Sequence, residues 1–184
     1  FPGRYRTDWM VLVYNLNDAS DIGARWQAMA DEIYENDLPR YYLGQHGYFI
    51  NWLHFRWIAA TRDQANRYFA LQSDAHGSGP MWRRQRERLR RVDELARRAG
   101  GRLLVVTFPS LHALGADYPY APVHAALDAH WNAAGVPHLD LLDAFAGHEP
   151  ADVIVNRYDA HPNEAAHALA AAAIERFVAG AMAR

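Results

Sequence analysis

Three short apolar runs, set apart by stretches with helical spacing, put the strongest limit on how this chain folds. They are "WMVLVYNLND" (9–18), "RLLVVTFP" (102–109) and "PHLDLLDAF" (137–145). Each is short, rich in β-formers and bounded by turn residues, the pattern of buried strands. Between them lie segments with a 3.6-residue period. Ile22, Trp26, Met29 and Ile33 fall on one face of a helix over 21–37. A helix is predicted over 51–72 with Asn51 as its cap, then a turn-rich loop at 73–80. Helices follow over 81–101, where Leu89, Val92 and Leu95 share a stripe and Gly100 ends the run, and over 121–135 between Pro122 and Gly135. An Ala-rich helix over 161–183 closes the chain. Strands separated by helices pair in parallel, so the order predicts an α/β fold: a three-layer α/β/α sandwich with a parallel, flavodoxin-like sheet of about three strands. In such sheets chemistry gathers at the carboxyl ends of the strands.

Composition narrows the chemistry. The 184 residues suit one domain with a real core, and a net charge of −2 gives no bulk attraction to nucleic acid or anionic lipid. The basic residues are all Arg, and in 81–101 they alternate with Glu and Asp, as on a solvated helix face. With no Cys, thiolate nucleophiles, disulfides and Cys-based metal sites are excluded. No cofactor motif is present, and no run of about 18 apolar residues marks a membrane span.

Two stretches carry titratable or amide groups at strand ends. Asn17 and Asp18 follow the first run, where an amide N–H can face a cleft and stabilise an oxyanion. Strand-to-helix turns also favour Asn and Asp for purely local reasons. Near the C-terminus, "NRYDAHPNEAAH" places Asp159 two residues before His161, ahead of Pro162 and the closing helix. A carboxylate beside an imidazole fixes its tautomer and supports its charge during proton transfer. Asp159 as a helix cap and His161 as a surface residue is the alternative. Asp74 and His76 in "SDAHG" repeat the spacing inside a turn with no flanking strand.

Together these blocks resemble the SGNH hydrolase superfamily, the GDSL esterase/lipase family. "YRTDWMVLVYNLND" is similar to the approach to that family's Gly-x-Asn-Asp block, and "DAHPNEAAH" to its Asp/His block. The Gly of the first block is Asn15 here, and one residue, Ala160, separates Asp159 from His161 where two are commoner. The resemblance implies His161 as general base, Asp159 as its orienting acid and Asn17 as an oxyanion donor. It implies a serine ester hydrolase acting on a small acyl ester or an acylated carbohydrate, such as a deacetylase, in a periplasmic or secreted setting. The same machinery serves an acyltransferase.

The family's nucleophile sits in a Gly-Asp-Ser block after its first strand, and no such block occurs here. Ser20, Ser73, Ser78 and Ser110 are the serines present; Ser110 ends the second strand in "FPS" and suits a turn or cap. The expectation is that residues 1–184 form a single SGNH-like domain lacking its N-terminal strand and nucleophile, with that segment as its partner. A two-sided apolar strand such as "MVLVY" is not expected at a bare sheet edge. Two other readings stay open: a metal-dependent phosphoesterase using Asp18, Asp159 and His161, and a non-catalytic SGNH-like module. The aromatics Tyr41, Tyr42, Tyr48, Phe49, Trp52, Phe55, Trp57, Tyr68 and Phe69 suit a substrate cap or a packing surface.

Overall fold

The computed structural model describes residues 7–22, 28, 47–61, 64–157 and 159–183. The chain is an α/β protein with a parallel sheet at its centre. Strand β1 (Trp9–Asn15) pairs with β2 (Arg102–Phe108), and β2 with β3 (His138–Asp140), in the order β1-β2-β3. The register runs from Trp9 opposite Arg102 to Asn15 opposite Phe108, so the carboxyl ends of β1 and β2 finish level. A 3-10 helix (Leu16–Ile22) leaves β1. Four helices follow: α1 (Tyr48–Thr61), α2 (Gln64–His76), α3 (Pro80–Arg98) and, after β2, α4 (Ala121–Ala134). Beyond β3 come the short α5 (Pro150–Val153), β4 (Ile154–Asn156), β5 (Asp159–Pro162) and α6 (Glu164–Met182).

Strand alternation sorts the core into two sides. Leu103 and Val105 of β2 join Met10, Leu12 and Tyr14 of β1 under α3 and α4, which contribute Leu89, Leu127 and Trp131. Val106 points the other way, onto Leu141, Phe145, Val153 and the alanines of α6, Ala166, Ala170 and Ala173. Leu104, Val105 and Val106 are fully buried, each such side chain contributing about 1.5–3 kcal/mol. Helices thus cover both faces of β2. On β1 the burial is one-sided: Val11 and Val13 remain 42% and 43% exposed, where the run "MVLVY" predicts burial on both sides. The α6 layer reaches β2 and β3 and does not cover these two valines.

Several local readings change. The helix predicted over 51–72 is two helices, with Asn51 inside α1 and not at its cap. The turn signals at 73–80 hold only for Gly77–Gly79; Ser73, Asp74 and His76 belong to α2. Leu95, placed on the apolar stripe of α3, is half exposed, whereas Leu89 is buried. The exposed side of α3 is laced with intrahelical ion pairs, Arg90 with Glu87 and Arg97 with Asp93. Gly135 takes φ 65° at the end of α4, a left-handed cap that favours glycine. The helix predicted over 21–37 lies outside the described residues apart from Asp21 and Ile22, which end the 3-10 helix, and Ala28.

The last segment differs most. The closing helix does not begin at His161: Asp159–Pro162 is a strand, antiparallel to β4, with Asn156 opposite Asp159. The helix begins after Asn163, whose Oδ1 accepts the Ala166 N–H at 3.0 Å. Over an 18-residue window α6 has a mean hydropathy of 1.2, so among the described residues this one helix is long and apolar enough by composition to cross a membrane, although Glu175 and Arg176 interrupt any unbroken apolar run. Ala166, Ala170 and Ala173 seat it against the sheet.

Candidate functional site

A cleft of about 380 Å³ opens where the carboxyl ends of β1 and β2 meet the β4–β5 hairpin. Its wall includes Asn15 and Asn17 from the end of β1, Ser110 from the end of β2, and Asp159 and His161 from β5. The three residues singled out as catalytic candidates therefore share one cavity, although 144 positions separate Asn17 from His161.

The acid–base pair is built by a short strand and its anchor. The Asp159 N–H donates to Asn156 Oδ1 at 3.1 Å, closing the hairpin. Asp159 Oδ1 then accepts twice from His161, from its backbone N–H at 3.1 Å and from ring Nδ1 at 2.6 Å. The two donors, first the backbone N–H and then the imidazole, hold the Asp159 carboxyl below its ordinary pKa. With Nδ1–H committed to the carboxylate, Nε2 is left as the basic nitrogen of the neutral ring. No hydrogen bond to Nε2 is formed among the described residues. Asn163 ties the pair to the scaffold: its Nδ2 donates to the carbonyls of Asp152 (2.9 Å) and Ile154 (3.2 Å) while its oxygen caps α6. Asp159 is thus not the helix cap; Asn163 is.

Asn17 lines the cleft one turn beyond β1, but Asp18 does not. Asp18 Oδ2 accepts the Asn15 N–H at 2.9 Å, reaching back from the first turn of the 3-10 helix to the strand end. Asp18 is therefore turned to the backbone and does not join Asp159 and His161, the trio required of the phosphoesterase reading. Among the described residues no three His, Asp or Glu side chains are grouped to hold a metal ion.

Of the serines with described side chains, Ser110 alone lines the cleft. It stands at the N-cap of the 3-10 turn Leu111–Ala113 without making a side-chain cap bond. Its backbone N–H is committed to Tyr118 Oη at 2.9 Å, so that amide is not a free oxyanion donor. Ser73 sits on α2 and Ser78 in the bend after it; the side chain of Ser20 lies outside the described residues.

Sequence reasoning missed two buried networks beside the cleft. Tyr118 Oη also bonds His124 Nε2 at 3.1 Å, and His124 Nδ1 bonds Asp140 Oδ2 at 2.7 Å. Behind β1, Tyr14 Oη bonds His76 Nε2 at 2.7 Å, and His76 Nδ1 donates to the Gln72 carbonyl at 2.8 Å. Burial pushes the His76 pKa down and that of Tyr14 up. Gln72 itself lines the cleft. Nothing in the "SDAHG" spacing signals this; only the helical phase of α2, with Gln72 and His76 four apart, could have.

The aromatic segment does not form a cap over the cleft among the described residues. Tyr48, Phe49, Trp52 and Trp57 are exposed on α1, and none lines the cleft. Tyr41 and Tyr42, and the side chains of Phe55, Tyr68 and Phe69, lie outside the described residues. Comparison with protein-family models, with curated proteins and with solved structures returned no match.

Proposed function

We propose that this chain carries the acid–base and oxyanion half of a serine ester hydrolase of the SGNH type. The observation that supports this most is the meeting of Asn17 with the hydrogen-bonded Asp159–His161 pair in one cleft at the carboxyl ends of parallel strands. The substrate is a small acyl ester, such as an acetylated carbohydrate. His161 Nε2 takes the serine proton as Oγ attacks the acyl carbonyl. Asn17 donates to the oxygen that gains charge. The C–O bond to the alcohol then breaks, and the alcohol leaves with the proton from His161. Water, deprotonated by the same ring, attacks the acyl-serine; the C–Oγ bond breaks, the imidazolium returns the proton to Oγ, and the carboxylic acid is released. If a sugar hydroxyl takes the place of water, the product is a transferred acyl group. Asp159 keeps Nδ1 protonated and offsets the imidazolium charge in each step.

The nucleophile in this reading is a serine outside the 184 residues, since none of theirs stands in a Gly-Asp-Ser block. Such a segment would also lie beside β1, where Val11 and Val13 are exposed. The test is p-nitrophenyl acetate hydrolysis by the full-length protein and its His161→Ala variant. Loss of activity in the variant is expected; full retained activity overturns the assignment. A fluorophosphonate probe applied to the 184-residue chain alone is expected to leave it unlabelled. Labelling at Ser110 would place the nucleophile inside this chain.

A further inference from the structure

We propose that the exposed face of α1 docks this protein on a bilayer carrying anionic lipid, with the helix lying in the headgroup region. Tyr48, Phe49, Trp52, Leu53, Arg56 and Trp57 are all exposed; the five apolar ones range from 46% for Leu53 to 88% for Tyr48. Their spacing, i, i+1, i+4, i+5, i+8 and i+9, puts them on one side of the helix. The other side is apolar in sequence too, with Ile50, Phe55 and Ile58. A helix apolar all round needs cover on every side, yet this side of α1 faces solvent. None of the six residues lines the cleft, so the inference stands apart from the ester-hydrolase reading.

The chemistry of the face selects its cover. Tyr and Trp join an apolar body to a polar tip and favour the headgroup level of a bilayer. Phe and Leu reach the acyl boundary below it. Phe49 and Trp52 stack with ring centroids 5.8 Å apart, and the Arg56 guanidinium stands 5.1 Å from the centre of the Trp52 ring. A cation is thereby set among the rings, where a lipid phosphate can meet it. No Asp or Glu occurs between Asp37 and Asp63, so no carboxylate of that stretch competes for it. The net charge of −2 gives the whole chain no such attraction; the attraction is local to this segment.

A second copy of the chain fits the face less well. The 14 residues of α1 make a cylinder about 21 Å long and about 10 Å wide, with a projected face of roughly 200 Å². Even doubled for the relief of its side chains, that falls short of the about 800 Å² that a stable interface covers on each partner. Two such faces would also set Arg56 against a helix with no Asp or Glu to receive it. A lipid surface supplies the phosphates and needs no matching relief.

The test is co-sedimentation of the full-length protein with vesicles of phosphatidylcholine alone, and of phosphatidylcholine mixed two to one with phosphatidylglycerol. The wild type is expected to bind both, the mixed vesicles more tightly. Replacing both rings, Phe49→Ser with Trp52→Ser, should weaken binding to either vesicle by about tenfold or more. Arg56→Gln should weaken binding to the mixed vesicles about fivefold and leave binding to phosphatidylcholine unchanged. Circular dichroism confirms that each variant is folded. If the double variant does not fold, Arg56→Gln, a single exposed change, decides. A wild type that binds neither vesicle overturns the proposal, as does a folded double variant that binds like the wild type. Arg56→Gln with undiminished affinity for the mixed vesicles overturns the choice of anionic lipid. A concentration-dependent dimer without vesicle binding, lost in the double variant, gives the face to a second copy instead.

Discussion

Two Asp–His pairs of near-identical geometry sit in opposite surroundings. His161 Nδ1 is 2.6 Å from Asp159, and His124 Nδ1 is 2.7 Å from Asp140. The His161 side chain is 88% exposed and that of His124 is 4% exposed. In both, a carboxylate fixes the tautomer. The difference lies at the second ring nitrogen. His124 Nε2 is closed by the Tyr118 hydroxyl, whereas His161 belongs to the cleft wall. A third pair, His138 with Asp128, spends Nε2 itself on the carboxylate at 2.6 Å. An oriented imidazole is therefore common in this chain. An oriented imidazole with a usable nitrogen in a cavity is found at His161.

The largest effect should come from removing that ring. His161→Ala is expected to lower esterase turnover by roughly 10⁴-fold. At such an exposed position stability should change by no more than about 0.5 kcal/mol. Turnover assays and urea unfolding on the same preparation check both halves. A loss of activity that merely tracks a loss of stability would erase the contrast between the two pairs. Asp159→Asn keeps the shape of the pair but cannot hold Nδ1–H in the same way. A smaller drop, about 10²–10³-fold, is expected in kcat with KM little changed.

The buried pair should answer the opposite way. His124→Ala leaves the Asp140 carboxylate and the Tyr118 hydroxyl without their partner, and it opens a void under α4. The expected loss is about 2–4 kcal/mol of folding stability, read by urea unfolding. Turnover of the protein that remains folded should fall less than about tenfold, through slackening of the Ser110 turn that Tyr118 holds. A stable His124→Ala variant with no activity would mean that the buried pair, not the exposed one, serves the chemistry.

How much of this was legible in the sequence follows from where each signal resides. The parallel α/β order was readable because β2 is buried on both faces and its run "LLVV" is uninterrupted. The meeting of Asn17 with His161 was readable because the segments that follow parallel strands gather at one edge of their sheet, although His161 itself lies on the separate β4–β5 hairpin. The β4–β5 hairpin was not. Its pairing is only a few residues long, and Pro162 and Asn163 suggest a helix start one turn too early. The networks through His76 and His124 were not readable either. Each joins residues on different elements through single hydrogen bonds, 62 positions apart for Tyr14 and His76, and no periodicity records that. The one-sided burial of β1 escaped because "MVLVY" is equally apolar on both faces, so its composition does not say which face is covered.

The smallest effect is one of pH, and it separates the same two environments. Burial holds the pKa of His76 and of His112 below 6.5, their ordinary value. The His76 ring faces the Tyr14 hydroxyl, the Gln72 carbonyl and the Trp82 ring, and His124 opposes its charging. The unfolded chain therefore binds a proton at a higher pH than the folded one does. Stability is fully present above pH 6.5 and declines as the pH falls from there through the folded-state values. The midpoint of thermal unfolding should accordingly be flat between about pH 7 and 8 and drop on acidification through about pH 6. His76→Gln should flatten that drop, since it removes one group that must stay neutral. A wild-type midpoint that holds steady through this range would show that the buried rings are charged at little cost. The distinction between sealed and open imidazoles would then have to rest on hydrogen bonding alone.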